Sequence, residues 1–266
     1  MRLFRIKRSQ VSNLPGMKRA VPDLGHVTRK QCPGLTPVGT VIIQHLAGAF
    51  EVTSSGSDRG QLVKMADQAR LAIGADVITV VADRGYYCGE PLLECANTGI
   101  TTYVPKTLTS SGTKRGFFIK QDFTYDAQND VYICPAGQTL SKGAHRSDRQ
   151  SDINFYRHLS ACSNCQLKPR CTTEKLRRIR RWEQEDVLDD LECRLEEKPD
   201  AMRIRRSTVE HPFGTLKAWM GLGYTHFLTR TREKVAAEMS RHVLACNFKR
   251  VLKIIGIAPL MAALRV

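Results

Sequence analysis

Val77-Ile78-Thr79-Val80-Val81-Ala82-Asp83-Arg84-Gly85 is a continuous apolar, β-branched run that ends on a carboxylate and a glycine. Continuity rather than alternation marks a strand buried on both faces. In open α/β sheets ligands bind beyond the carboxyl ends of strands, so Asp83 stands where a functional group is wanted. An aspartate at such a turn also serves as a plain cap, and this segment alone does not separate the two roles. Arg84 is equally a phosphate contact or a surface charge. The flanking stretches define the layer. Residues 61–73 carry Leu62, Met65, Ala66, Ala69 and Ile73 at steps of three and four. That spacing predicts an amphipathic helix with Asp58 near its N-terminal cap and Gly74 at its end. Residues 90–97 predict a short helix closed by Gly99, and residues 100–104 a second strand stopped by Pro105. A β-α-β order implies parallel strands in an α/β layer.

The second informative segment is Thr208-Val209-Glu210-His211-Pro212-Phe213-Gly214-Thr215-Leu216-Lys217. Arg206 lies four residues before Glu210 and Lys217 seven after, so one helix face can present all three. Two carboxylates that converge at a strand end can hold Mg²⁺, and divalent metals drive phosphodiester chemistry. An exposed ion-pair ladder is the plain alternative. Pro212 is expected to kink this helix or to limit its first part. Asp200 predicts a cap for a helix from residue 201. Upstream, residues 183–197 place Val187, Leu188, Leu191 and Leu195 at helical spacing. Downstream, residues 231–255 form the longest periodic stretch. There Val235, Met239 and Val243 lead into Leu244, Phe248, Val251 and Ile255, while Arg241, Lys249 and Arg250 mark a basic side.

Composition narrows the partner. The 266 residues carry a formal net charge of +15, which favours a polyanion, nucleic acid before an anionic membrane surface. No apolar run of about 18 residues is present, so no transmembrane helix is expected. The basic start, residues 1–8, lacks an apolar core, so a secretory signal is not expected and the cytoplasm is the expected compartment. Nine cysteines then fit reduced thiols or a metal site better than a disulfide framework.

Residues 1–44 are broken by Pro15, Gly16, Pro22, Gly25, Pro33, Gly34, Pro37 and Gly39 and predict an irregular basic arm. Residues 106–182 read as a polar, basic insertion with strands hinted at 117–119 and 131–133. Within it, Cys162 and Cys165 form a Cys-x2-Cys pair, and Cys134 and Cys171 bring the thiols to four. Such a set can make a tetrahedral zinc site, with His158 as a substitute ligand. Four reduced structural cysteines are the alternative. Lys168, Arg170, Lys175, Arg177, Arg178, Arg180 and Arg181 form the densest basic cluster, and Arg203, Arg205 and Arg206 a second. With the whole-chain charge, they are candidate nucleic-acid contacts.

Taken together, these residues resemble the DDE-type transposases of bacterial insertion sequences. The resemblance spans roughly residues 45–262. It rests on Gly56-Ser57-Asp58-Arg59-Gly60-Gln61-Leu62, Ala82-Asp83-Arg84-Gly85-Tyr86, Tyr103-Val104-Pro105-Lys106, Cys134-Pro135-Ala136-Gly137, the Cys162/Cys165/Cys171 set and Arg206-x3-Glu210-x6-Lys217. It implies an α/β, RNase-H-like mixed sheet with flanking helices, a Cys-containing insertion and an incomplete first strand. It also implies that Asp83 and Glu210 are catalytic and hold Mg²⁺, and that Arg206 and Lys217 handle the DNA end. Arg84, Lys168, Arg170, Arg177 and Arg178 join them as expected DNA contacts. Where the family usually has a Tyr three residues before the Arg of this last motif, this chain has Arg203. The implied partner is double-stranded DNA, both element ends and target, with a homodimer allowed and no membrane.

The family's first catalytic Asp precedes the matched region. Residues 1–44 do not match that pattern and contain one aspartate, Asp23, after a proline. The family's N-terminal helical DNA-binding domain finds no counterpart either. The expectation is a truncated or frameshifted catalytic domain for DNA strand cleavage and transfer, inactive as it stands. A non-catalytic DNA-binding remnant and an unfolded remnant are the alternatives.

Overall fold

The computed structural model describes residues 3–8, 36–43, 46–53, 57–107, 112, 115–148, 151–219 and 227–265. Asp23 and Cys32 lie outside them. The chain divides into two units, Met1–Lys106 with Asp190–Val266, and Thr107–Asp189.

The first unit is built on a mixed sheet of five strands, β1 (Leu3–Arg8), β2 (Thr36–Ile43), β3 (Leu46–Thr53), β4 (Ile78–Val81) and β5 (Ile100–Tyr103), in the order β3-β2-β1-β4-β5. The β-α-β reading holds at one edge of the sheet: β4 and β5 pair in parallel, Ile78 with Ile100 through Val81 with Tyr103. Between them runs α2 (Gly89–Asn97), and before them α1 (Leu62–Ile73). Leu62, Met65, Ala66 and Ala69 of α1 are buried as their spacing requires, and Gly74 ends the helix in the left-handed region at φ 64°.

The arm expected to be irregular contains two strands. β1 lies between β2 and β4, parallel to β2 and antiparallel to β4. Six residues, three of them basic, are too short a pattern to announce a strand. Pairing on both sides supplies the backbone hydrogen bonds that propensity does not. β2 was hidden by Pro37 and Gly39, and its pairing with β3 tolerates them through register shifts between Val38 and Thr40 and between Val41 and Ile42.

Four helices follow: α3 (Asp186–Glu197), α4 (Ala201–Trp219), α5 (Arg232–Ile255) and α6 (Ile257–Ala263). Helix α4 continues through Pro212 to Trp219. It packs against β1 and β4. Val209 and Leu216 join Ala47 and Val52 of β3 and Val235, Met239, Val243 and Cys246 of α5 in one buried cluster. Helix α5 also closes the sheet edge. Asn247 accepts from the Ala47 N–H at 2.8 Å and donates to the Ala47 carbonyl at 2.9 Å, so the outer strand has a side-chain partner on its open side. Glu238, buried on the same helix, accepts from the backbone N–H groups of Leu228 and Thr229 at 3.0 Å and from the Thr229 hydroxyl at 2.8 Å.

The periodic stretch 231–255 proves to be two stripes. Val235, Met239, Val243 and Cys246 face the core, whereas Leu244, Phe248 and Ile255 are exposed. Nine residues from Val235 to Leu244 turn the helix by about 180°, so the second apolar row lies opposite the first.

The second unit is an antiparallel sheet of five strands: β6 (Thr124–Asp126), β7 (Val131–Ile133), β8 (Thr139–Asp148), β9 (Ser151–Arg157) and β10 (Ile179–Trp182), in the order β10-β9-β8-β7-β6. The expected strand at 131–133 is β7. Residues 117–119 are not a strand. The Phe118 N–H donates to the Arg170 carbonyl, and a single 3-10 turn, Lys120–Asp122, follows. The core is aromatic: Phe123, Tyr132, Leu140, Tyr156 and Ile179 are buried together. Arg181 lies 3.7 Å from the Tyr125 ring centre and pairs with Asp189 at 2.7 Å.

Truncation of a residue in the main cluster should cost far more than truncation on the exposed stripe. Leu216→Ala is expected to destabilise by about 2–5 kcal/mol. Leu244→Ala should stay within about 0.5 kcal/mol. Denaturant titration of both variants checks the contrast, and equal losses would refute the burial assignment. A second outcome concerns pH. Burial pushes the Glu238 carboxyl up, but the Leu228 and Thr229 hydrogen bonds outweigh it, His242 adds to them, and the net shift is downward. A lowered folded-state pKa stabilises above the unfolded value, about 4.3, and that stability is lost as pH falls through the folded value. Glu238→Gln should therefore lose stability at neutral pH and approach wild type in acid.

Candidate functional site

Val81 ends β4, and Ala82 stays tied to the sheet by donating to the Tyr103 carbonyl at 3.0 Å. Asp83 is the next residue and opens a 3-10 turn over Arg84–Tyr86. Its Oδ1 accepts from the Gly85 N–H at 2.7 Å, so the carboxylate does cap the turn. Tyr86 is fully buried and anchors the turn to the core. The cap occupies one oxygen. The other, Oδ2, faces the Arg205 guanidinium at 3.7 Å.

That contact places α4 at the strand end. Arg205 was absorbed into a basic cluster in the sequence reading, and its distinguishing signal is periodic. Ala201, Thr208, Val209, Pro212 and Leu216 are the buried positions of α4, and Arg205 falls on the same stripe. One arginine in an otherwise uncharged row calls for an acidic partner, and Asp83 stands within reach of it. Its side chain is 13% exposed, against 27% for Asp83.

Glu210 belongs to α4, five residues beyond Arg205. Five residues correspond to about 7.5 Å of rise and about 140° of rotation. By spacing, Glu210 shares its row with Arg206 and Lys217 rather than with Arg205. The side chains of Glu210 and Lys217 lie outside the described residues. Arg84 and Arg206 are exposed. Asp58, expected near a helix cap, makes no side-chain cap bond. It precedes the turn Arg59–Gln61, which packs against the turn Arg84–Tyr86, so a further carboxylate stands at the edge of this site.

In the second unit, the basic cluster splits by role. Arg177 donates to the carbonyls of Cys171 at 3.2 Å and Phe118 at 3.1 Å and lies 5.3 Å from the Phe123 ring centre. Arg170 lies over Phe118. Arg178 is exposed and pairs with Glu174 at 2.6 Å. Lys168 is half-buried in the turn Lys168–Arg170.

Cys134, Cys162, Cys165 and Cys171 line one small cavity with His158 and Arg177. Burial pushes the Cys171 thiol up, Arg177 opposes it, and the other three cysteines push it further up. The His158 Nδ1 accepts from the Ala161 N–H at 3.0 Å, which leaves the ring proton on Nε2. His158 is thus engaged in a turn and is not an available ligand in this arrangement. Among the described residues, no group of three or more His, Cys, Asp or Glu side chains closes into a metal-holding set.

Residues 133–252 match the family model of the transposase DDE domain. That match supports a DDE-type transposase. The matched segment contains Glu210 and all four of these cysteines, and Asp83 lies before it. No curated protein and no solved structure matches the chain significantly. The mixed α/β fold agrees with an RNase-H-like DDE domain. Among the described residues no helix is long and apolar enough to cross a membrane.

The Asp83–Arg205 contact should be measurable in energy. A double-mutant cycle with Asp83→Asn and Arg205→Met is expected to give a coupling of about 0.5–3 kcal/mol, because both groups are shielded from solvent. Additive effects of the two substitutions would show that α4 is not tied to the strand end by this pair.

Proposed function

We propose that the chain is an insertion-sequence transposase catalytic domain that keeps its DNA-handling residues and two metal-holding carboxylates, Asp83 and Glu210, without turning over. What supports this reading is the Asp83–Arg205 contact, which sets the helix bearing Glu210 against the strand end bearing Asp83, with Glu210 itself about 140° round that helix from Arg205. The family match supplies the reaction class, and a transposase acts on DNA.

The donor chemistry fits Mg²⁺, since Asp83 offers a hard carboxylate oxygen whose present partner is a guanidinium at 3.7 Å. Bound there, the ions would activate a hydroxyl nucleophile and stabilise the leaving oxygen. The chain's own residues have simpler tasks. The Gly85 cap fixes the rotation of Asp83. Arg205 neutralises the carboxylate until a cation displaces it. Arg206 and Lys217 share the Glu210 row by spacing, where they would hold phosphates of the DNA end, and Arg84 would add a contact beside Asp83.

The third carboxylate is the weak point. β1 lies next to β4, and its sequence Leu-Phe-Arg-Ile-Lys-Arg contains no acid. At the same end of the sheet β3 presents Glu51, three strand spacings from β4, about 14 Å away. Glu51 is engaged by Lys64 at 2.6 Å and Arg232 at 3.6 Å. A two-metal site needs ions about 3.5–4 Å apart, which that distance forbids. With Asp83 and Glu210 as the sole ligands, two carboxylates for two ions leave the transition-state charge poorly balanced, so cleavage and strand transfer should fail.

A non-catalytic DNA-binding role is the second reading, favoured by the +15 charge. A homodimer belongs to either reading, and the exposed row Leu244, Phe248 and Ile255 on α5 would give it an apolar face.

Both readings meet in one experiment on double-stranded DNA bearing the element's ends, with Mg²⁺ or Mn²⁺. Binding without turnover is the expected result, its affinity falling with a log–log salt slope of about −0.9 per phosphate neutralised. Turnover abolished by Asp83→Ala and by Asp58→Ala would identify Asp58 as the third ligand and overturn the inactivity. Absence of binding at low salt would remove the DNA-binding role itself.

A further inference from the structure

The unit Thr107–Asp189 has a thin core for its size. Five buried residues, Phe123, Tyr132, Leu140, Tyr156 and Ile179, form its hydrophobic cluster, and Cys134 and Cys171 pack against that cluster. Units of this size whose core is small are commonly held by a staple, a disulfide or a structural metal. Its four cysteines carry no disulfide.

These cysteines come from three separate turns and meet at one cavity of about 30 Å³, room for a single small occupant. Phe118, Phe123, Leu140 and Leu167 also line it, and no carboxylate does. Soft sulfur donors without carboxylate select zinc over magnesium or calcium.

The turn at Cys134 has a geometry suited to a thiolate. Gly137 is left-handed at φ 73° and donates to the Cys134 carbonyl at 2.8 Å. The next N–H, of Gln138, points at the Cys134 Sγ at 3.4 Å. An amide N–H aimed at sulfur stabilises the charged form, which is the form that binds metal. Opposite, Cys165 accepts from the Lys168 N–H at 3.1 Å and Cys171 donates to the Lys168 carbonyl at 2.9 Å, so a compact turn holds this pair. Arg177 lines the same cavity, bonded to the Cys171 carbonyl, with its Nε buried and lacking a hydrogen-bond partner. A guanidinium there offsets the negative charge of a four-thiolate centre.

We propose that Cys134, Cys162, Cys165 and Cys171 hold one structural zinc ion that staples the turns of this unit. The thiols line a common cavity without closing into a metal-holding set in this structure, and zinc binding would require their side chains to turn inward. Ligands at about 2.3 Å in a tetrahedron stand about 3.8 Å apart. The inference is independent of DNA cleavage, because it concerns the metal content of the resting chain.

The test uses the full chain purified without chelator. Elemental analysis should give about one zinc per chain. Cys165→Ser should lower that content at least several-fold, whereas Cys193→Ser, at an exposed cysteine outside the cluster, should leave it unchanged. Replacement by Co²⁺ in the wild-type chain should give the visible absorption of a tetrahedral thiolate centre, a readout that does not depend on whether a variant folds. Folded wild-type chain with far less than one zinc would overturn the proposal. So would zinc retained in full by Cys165→Ser, a cobalt spectrum of an octahedral oxygen site, or recovery of the four cysteines as two disulfides.

Discussion

The apolar stripe of α4 is the constraint on which the site depends. Among the described side chains it is buried at Ala201, Thr208, Val209, Pro212 and Leu216, and one arginine interrupts it. Its ends are held separately. Ala201 and Met202 pack with Val81, Tyr103 and Leu195 near the strand ends, and Val209 and Leu216 pack into the cluster shared with β3 and α5. Two anchors about a dozen residues apart leave the helix little freedom to roll. Arg205 lies between them with its side chain only 13% exposed, so its charge is answered largely within the fold. Asp83 answers it, at the one point where β4 has ended and a turn has freed a carboxylate from the sheet.

The same logic explains which parts of the fold the sequence disclosed. Helical spacing marks α1, a continuous β-branched run marks β4, and Gly99 and Pro105 bound α2 and β5, and these elements pack as those signals demand. β1 and β2 were not legible, because strands receive much of their stability from neighbours that composition does not reveal. The second sheet was hidden for another reason. Its core is built from tyrosines, an arginine and a few aliphatics, so its strands lack the apolar alternation that announces a sheet. Tyr125 and Tyr156 both donate to Asp130, and Arg181 stacks on Tyr125. Polar tips satisfied by each other let these rings be buried.

Asp83 was readable as a candidate because strand-end carboxylates are rare in a run so apolar. Arg205 was not recognised, although its stripe position was in the sequence, because a basic cluster invites one common explanation. The arginines of the second unit make the same point. Arg177 and Arg181 are committed to carbonyls, rings and a carboxylate inside the unit, whereas Arg178 is exposed. Net charge therefore overstates the surface offered to DNA, and the excess is diverted into holding an aromatic core together.

This division of the basic residues bears on how such a domain would tolerate a loss of catalysis of the kind proposed above. A carboxylate that loses its metal partners is a buried or half-buried charge, and it destabilises the fold unless another cation takes over. At Asp83 a guanidinium already stands in that place, and the cap from Gly85 satisfies the remaining oxygen. The strand end is therefore electrostatically complete without a cation. Selection on the fold alone would keep Asp83 and Arg205 as a pair, even where turnover is no longer required. The presence of Asp83 is for that reason weak evidence of activity, and its value as a marker of the site comes from the helix it recruits.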